Sequence, residues 1–289
     1  MHDARVLTVT HGDLTFDVHE HGSADGVPVL LLHGFPQRGT AWDAVAERLA
    51  SAGIRTLAPD QRGYSPCARP RGRRAYRMSG LVGDALAVVD SLVGPAGRVH
   101  LVGHDWGAAV AWSLAARNPD RVRSLTAISV PPPGVYVRSL FTTRQALASW
   151  YIYALQLPLL PERFLGADGR AFSPRLVAAL RRSGQSRPAA ERDAAALADP
   201  GALTAAINWY RALLTGPFSD HTPPVQVPTL FVWSDGDTAI TRQSTELTHT
   251  DVAGPFRYVE LRGVSHWILE EAPDQLADLL LEQFQEHPG

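Results

Sequence analysis

The chain has a single cysteine, Cys67, so no intramolecular disulfide braces it. Cys67 lies in a Pro/Arg-rich, loop-like stretch without a motif around it, and it reads as incidental. No apolar run approaches the length needed to cross a bilayer. The opening residues, Met1-His2-Asp3-Ala4-Arg5, contain no signal-type hydrophobic region, so the expectation is a soluble, cytoplasmic protein. Neither sign of charge dominates: 27 Lys and Arg face 29 Asp and Glu, a net charge of -2. Nothing in that balance points to nucleic acid or to an anionic membrane. One arginine cluster, Arg69 to Arg77, lacks a nucleic-acid-binding motif and reads as a solvated loop. Internal repeats are absent too.

What is present is ordinary globular composition, 45% hydrophobic and 19% charged over 289 residues, enough for one large α/β domain plus an insertion. Residues 4–20 read as a hairpin turning at His11-Gly12-Asp13. Val27 to Leu32 is a continuous apolar run, as in a strand buried on both faces. Trp42 to Ala52 reads as a helix, Ile54 to Ala58 as a strand, and 79–93 as a helix with Ser79 as its N-cap. Val99 to Val102 and Leu125 to Val130 are further strands, with a helix over 106–117 between them. This alternation predicts an α/β fold with a mostly parallel, doubly wound sheet. The alternation stops at Pro131-Pro132-Pro133-Gly134. From about 135 to 221 the sequence is helix-like, Pro223-Pro224 closes that stretch, and strand grammar resumes at Pro228 to Trp233. A last strand is expected at Arg257 to Leu261 and a C-terminal helix from about Pro273. The organisation is therefore a core of 1–130 and 223–289, interrupted by a helical cap over 131–222.

The chemistry concentrates in Leu101-Val102-Gly103-His104-Asp105-Trp106-Gly107-Ala108. Strand, glycine, polar residue, glycine and helix make up the nucleophile elbow, a sharp turn that exposes one side chain above a parallel sheet. Asp105 stands where such elbows carry serine. A carboxylate is already anionic at neutral pH and is suited to displacing a leaving group from saturated carbon, leaving an alkyl ester that water must cleave. That predicts attack on an epoxide or an alkyl halide. Outside this context the residue would be a buried aspartate favoured by a helix dipole.

Cleaving the ester needs a base, and His266 in Gly263-Val264-Ser265-His266-Trp267 follows the last strand, in the chain order nucleophile, acid, histidine. The acid that orients it should follow 229–233, where Asp235 and Asp237 are both available. Asp235-Gly236 is also a turn dipeptide, and the Trp-x-x-x-Asp spacing favours Asp237. Oxyanion donors are expected from two backbone N–H groups, Trp106 after the nucleophile and Phe35 in His33-Gly34-Phe35-Pro36.

On these residues the sequence resembles the α/β-hydrolase-fold epoxide hydrolases over nearly its whole length. His33-Gly34-Phe35-Pro36 is similar to that family's H-G-x-P motif, and Asp60-Gln61-Arg62-Gly63-Tyr64-Ser65 to its D-x-R-G-Y-G segment, with Ser65 in place of the usual glycine. The resemblance implies two cap tyrosines that activate the epoxide oxygen. Asn208-Trp209-Tyr210-Arg211 is similar to the segment carrying one, and Ser149-Trp150-Tyr151 followed by Gln156 to the other, with Tyr153 as an alternative to Tyr151. Ring opening leaves an alkoxide that must be hydrogen-bonded and protonated, which two phenols supply.

The expected substrate is a small apolar epoxide with water, in a pocket formed by Trp150, Trp209, Pro36 and Trp267, with Leu155, Leu157, Phe141 and Leu147 further out. No metal or organic cofactor is implied, and a monomer or a homodimer is expected. Haloalkane dehalogenases use the same fold and aspartate. They also need a second halide donor, typically an Asn or Trp, and Phe35 holds the Asn position. A ligand-binding protein on this scaffold would have lost a catalytic member, and here nucleophile, acid, base and oxyanion motif all have candidates.

Overall fold

The computed structural model describes residues 4–215 and 222–288. Expectations that fall on residues 1–3 and 216–221 lie outside the described residues. Eight strands form one sheet in the order β1-β2-β4-β3-β5-β6-β7-β8: β1 (Arg5–His11), β2 (Leu14–His21), β3 (Val27–Leu32), β4 (Ile54–Pro59), β5 (Val99–His104), β6 (Val122–Ile128), β7 (Thr229–Gly236) and β8 (Phe256–Ser265). Only β1 with β2 and β2 with β4 pair antiparallel. The hydrophobic run of β3 and the fully buried β5 lie side by side and parallel at the centre. Helices cover both faces, as a strand that is apolar on both sides requires.

On one face α1 (Asp43–Ser51) packs with the C-terminal helix, burying Val45, Leu49, Leu276, Leu280 and Phe284 against β3 and β7. On the other, α2 (Met78–Leu92) and α3 (Trp106–Arg117) cover the sheet with Val88, Val89, Val110 and Trp112. Among the described residues between β6 and β7 there are seven α-helices: α4 (Pro133–Thr142), α5 (Gln145–Ala148), α6 (Trp150–Leu155), α7 (Leu160–Leu165), α8 (Pro174–Arg182), α9 (Arg187–Ala196) and α10 (Ala202–Ala212). Helix α11 (Arg242–Glu246) follows β7, and α12 (Ile268–Glu271) and α13 (Pro273–Glu286) follow β8. Among the described residues no helix is long and apolar enough to cross a membrane.

Two local expectations need correction. Helix α2 starts one residue early, at Met78, with extended Arg77 at its N-cap and no side-chain cap. The turn Arg73–Tyr76, anchored by buried Tyr76 through its hydroxyl to the Pro70 carbonyl (2.9 Å), delivers the chain to that point and leaves Ser79 inside the first turn. The arginine cluster is only partly solvated. Arg69 donates to the carbonyls of Gly63 and Tyr64 and pairs with Asp199 at 3.1 Å, tying this loop to the helical segment.

The strand order places the site. After β3 the chain turns one way to β4 and later the other way to β5, so the C-terminal ends of β3 and β5 border the crevice where open α/β sheets hold ligands. Leu32 is paired with Gly103, which sets Gly34-Phe35 beside Asp105. Asp60, at the end of β4, braces this edge: its buried carboxylate accepts the Gly39 N–H at 2.7 Å and lies 3.4 Å from His19 Nε2. Burial would raise its pKa, but His19, His33 and the Gly39 N–H outweigh that and hold it below the ordinary value. Replacing Asp60 by alanine leaves the Gly39 N–H unpaired and should cost about 2–4 kcal/mol. Urea unfolding of Asp60→Ala tests this, and a loss well under 1 kcal/mol contradicts it.

Candidate active site

Asp105 has φ 53° and ψ -120°, a strained conformation for a residue with a side chain. It is held there because the helix after it packs directly against the sheet. A Cβ on Gly107 would overlap the Leu32 and His33 carbonyls, so only glycine admits this approach. A Cβ on Gly34 would collide with the Asp105 side chain itself. The turn therefore lifts the carboxylate above the sheet and presses it against the β3 loop, where the Phe35 N–H donates to Oδ1 at 2.8 Å. The Trp106 N–H, at the start of α3, also donates to this carboxylate. Both expected oxyanion donors thus face Asp105.

The Phe35 loop is itself fixed from below. Buried His33 accepts the Gln61 N–H at Nε2 (3.1 Å), so its Nδ1 carries the proton and donates to the Gly34 carbonyl (3.0 Å). Burial pushes the His33 pKa down to about 4, which keeps this tautomer. Gln61 donates in turn to the His33 carbonyl. The Phe35–Pro36 peptide bond is cis.

His266 and Asp237 meet because β7 and β8 end together, Gly236 being paired with Ser265. The His266 Nδ1–H donates to Asp237 Oδ2 at 2.7 Å, while Asp237 Oδ1 accepts the N–H groups of Ala239 (2.7 Å) and Ile240 (2.9 Å). Asp235 is exposed and instead caps the Gly263 N–H at 2.7 Å, which decides between the two aspartates. Nε2 of His266 then lies 3.7 Å from Asp105 Oδ2, an ion-pair distance beyond hydrogen-bond reach. Two buried groups, His104 and Gln37, and the partly exposed Glu270, none singled out by the sequence analysis, support this histidine from behind. His104 lies between the Gln37 Oε1 (3.1 Å) and the His266 carbonyl (3.0 Å), and Gln37 Nε2 donates to Glu270 (3.2 Å). Burial keeps His104 well below its ordinary pKa and therefore neutral.

Burial alone would depress the His266 pKa, yet the carboxylates of Asp237 and Asp105 raise it to about 9. Burial in turn pushes the Asp105 carboxyl up, opposed by His266 and by the two N–H donors. The pair favours a histidinium beside a carboxylate at neutral pH.

A cavity of about 1080 Å³ opens over Asp105 and is lined by Trp106, Tyr151, Trp209 and Tyr210 among others. One face of α3 (Trp106, Ala109, Trp112, Ser113 and Arg117) borders it along the whole helix. At 1.5 Å per residue the cavity therefore extends roughly 16 Å from the carboxylate. Tyr210 is buried, edge-on to Phe35 (5.5 Å between centroids), Trp106 (5.2 Å) and Tyr151 (6.1 Å). Gln156 links α6 to α10 by donating to the Tyr210 carbonyl at 3.0 Å. Burial, and next the charge of Asp105 on Tyr210 and the neighbouring Tyr136 on Tyr151, hold both phenols well above their ordinary pKa and so protonated. Tyr153, the alternative to Tyr151, touches the cavity but is 57% exposed, two positions further along α6.

Several expected pocket residues lie elsewhere. Trp150 is 67% exposed and does not border the cavity, because on a one-and-a-half-turn helix the inward position belongs to its neighbour Tyr151. Pro36 is buried behind Phe35, and Trp267 turns away to donate its indole N–H to Ser183 at 3.2 Å. Leu155 is buried, while Leu147 and Leu157 face outward; Phe141 does border the cavity. Tyr136 borders it as well, without having been expected to.

Residues 29–279 match the Alpha/beta hydrolase family. Epoxide hydrolase A of Mycobacterium tuberculosis is 31% identical over 92% of this chain and 92% of its own length. The chain belongs to the alpha/beta hydrolase family, among its epoxide hydrolases. The AB hydrolase superfamily protein YfhM of Bacillus subtilis is 34% identical over 95% of this chain and 96% of its own. The crystal structure of an epoxide hydrolase from Vigna radiata superposes with a TM-score of 0.81 at 28% identity, covering 98% of both chains.

The charge arrangement makes a titration prediction. His266 should titrate near 9 in imidazole NMR spectra of the resting protein. Removing one of the two attracting charges must lower that value, so Asp105→Asn should shift the midpoint down toward the ordinary 6.5. An unchanged midpoint in the variant would show that the two groups do not interact.

Proposed function

We propose that this epoxide-hydrolase-family chain converts an apolar epoxide and water to a vicinal diol through a covalent ester on Asp105. In this reading residues 131–222 form a cap over a core of 1–130 and 223–289. The cap carries Tyr151 and Tyr210 above the nucleophile. The observation that carries the proposal is the shared geometry at Asp105: one carboxylate oxygen rests on the Phe35 N–H, and the cavity above holds two protonated phenols.

In the first step a carboxylate oxygen of Asp105 attacks a ring carbon, the carbon–oxygen bond of the ring breaks, and its electron pair goes to the epoxide oxygen. Tyr151 and Tyr210 hydrogen-bond that oxygen and supply a proton to it. Esterification removes the Asp105 charge, and with it one of the attractions that keep His266 protonated. The histidine pKa falls, and the proton His266 gives up restores the tyrosine that protonated the alkoxide, leaving His266 neutral when a base is needed. It then takes a proton from water, hydroxide adds to the ester carbonyl, and the Phe35 and Trp106 N–H groups receive the oxyanion. Collapse expels the diol and restores Asp105, and Asp237 holds His266 in the working tautomer throughout. A haloalkane dehalogenase would aim the Trp106 indole and a second side-chain donor at a halide; Phe35, which holds the Asn position, offers none, and this favours the epoxide reading.

Two variants test this. His266→Gln, incubated with pooled epoxides and alkyl halides, should accumulate an adduct on Asp105 whose mass equals an intact epoxide. Tyr151→Phe/Tyr210→Phe should lose at least about 1000-fold in alkylation rate while remaining folded, since general acid assistance is worth roughly 10²–10⁴-fold. Diol formation at the native rate by the double variant would sink the assignment of the tyrosines, and a halide-type adduct would move the chain to the dehalogenase reaction.

A further inference from the structure

Among the described residues, eight of the twelve exposed large hydrophobic side chains fall between positions 141 and 164. Leu147, Trp150, Tyr153, Leu157, Leu160 and Phe164 recur at intervals of three and four, the spacing of one helical stripe, along the successive short helices α5, α6 and α7. Their exposures run from 47% to 75%, far more than scattered surface apolar residues need explaining. This stripe is not the substrate cavity, although Tyr153 and the 85%-exposed Phe141 border both.

The charge around the stripe identifies what covers it. Over residues 133–175 Arg138, Arg144, Arg163, Arg170 and Arg175 face only Glu162 and Asp168, a formal +3 in a chain whose total is -2. Glu162 is already neutralised by Arg211, and Arg138 by Asp251, so the surplus rests on the other four arginines. All four are exposed, three of them close to the stripe in sequence or space: Arg144 precedes Leu147 by three residues, Arg163 precedes Phe164, and the Arg175 guanidinium lies 5.1 Å from the centre of the Phe164 ring. The chain contains no lysine, so every cation here is a planar guanidinium suited to two-point contact with phosphate. A second copy is disfavoured, because a two-fold contact would set this +3 surface against itself.

We propose that the α5–α7 face docks on an anionic phospholipid bilayer, with Trp150, Leu160 and Phe164 entering the headgroup region and the arginines pairing with phosphates. Aromatic and aliphatic side chains beside basic ones are the composition of surfaces that lie in a membrane interface without crossing it. The cavity border at Phe141 and Tyr153 then faces the lipid, where an apolar epoxide concentrates. Docking itself does not depend on the proposed reaction, since it is measured without substrate.

Co-flotation of the full chain with phosphatidylcholine vesicles, with and without about one-third phosphatidylglycerol, tests this. Anionic vesicles should bind roughly 100-fold more tightly than neutral ones, and added salt should erase the difference. Arg163→Glu/Arg170→Glu should abolish that preference, and Leu160→Glu/Phe164→Glu should abolish binding, each with an unchanged near-ultraviolet circular dichroism spectrum. If the apolar double variant misfolds, the arginine pair alone decides. Equal binding by the arginine variant, or no binding of the native chain to anionic vesicles, overturns the proposal. So does a dimer in sedimentation velocity that Leu160→Glu/Phe164→Glu dissociates, which would give the face to a second copy.

Discussion

The hydrogen bond from the Phe35 N–H to Asp105 Oδ1, at 2.8 Å, ties together the two halves of this site. It exists only because β3 and β5 are neighbours, because glycine at 107 lets α3 approach the Leu32 and His33 carbonyls, and because glycine at 34 leaves room for the carboxylate. It also satisfies part of a buried carboxylate that burial alone would discharge. The strain at Asp105, with φ 53°, is stored in the same place. Sheet order, elbow and anion-holding loop are thus one construction, and the same donors that steady the resting carboxylate stand where an ester oxyanion forms.

The remaining parts act through charge. Asp105 and His266 share a desolvated space in which burial and their mutual charge shift both groups from their ordinary values. His266 is held protonated by the carboxylates of Asp237 and Asp105, and in the proposed reaction esterification of Asp105 would remove one of those attractions. The phenols above are held protonated by burial, which suits them to the donor role the proposed reaction gives them.

Much of this was legible in the sequence, because the informative residues sit at strand ends. Each strand was bounded by local signals such as the apolar run Val27 to Leu32 or the glycines around Asp105, and chain order assigned His266. Trp150 was misplaced because sequence adjacency to Tyr151 says nothing about which side of a short helix faces inward. Trp267 and Pro36 were misplaced for a related reason: their partners, Ser183 and the packing behind Phe35, are distant in sequence. The supporting chain Glu270–Gln37–His104 had no signal at all, since it joins positions separated by up to 233 residues. Net charge carries no information about local surfaces, because a total of -2 averages away a +3 stretch on the helical segment.

The covalent ester is the central claim, and one isotope measurement addresses it directly. A single turnover of excess enzyme with an epoxide in ¹⁸O-water separates attack by Asp105 from direct attack by water. If the ester forms, the first diol carries an oxygen taken from the Asp105 carboxylate, and ¹⁸O appears in the peptide containing Asp105. Label in the first-turnover diol, with an unlabelled Asp105, would contradict the account.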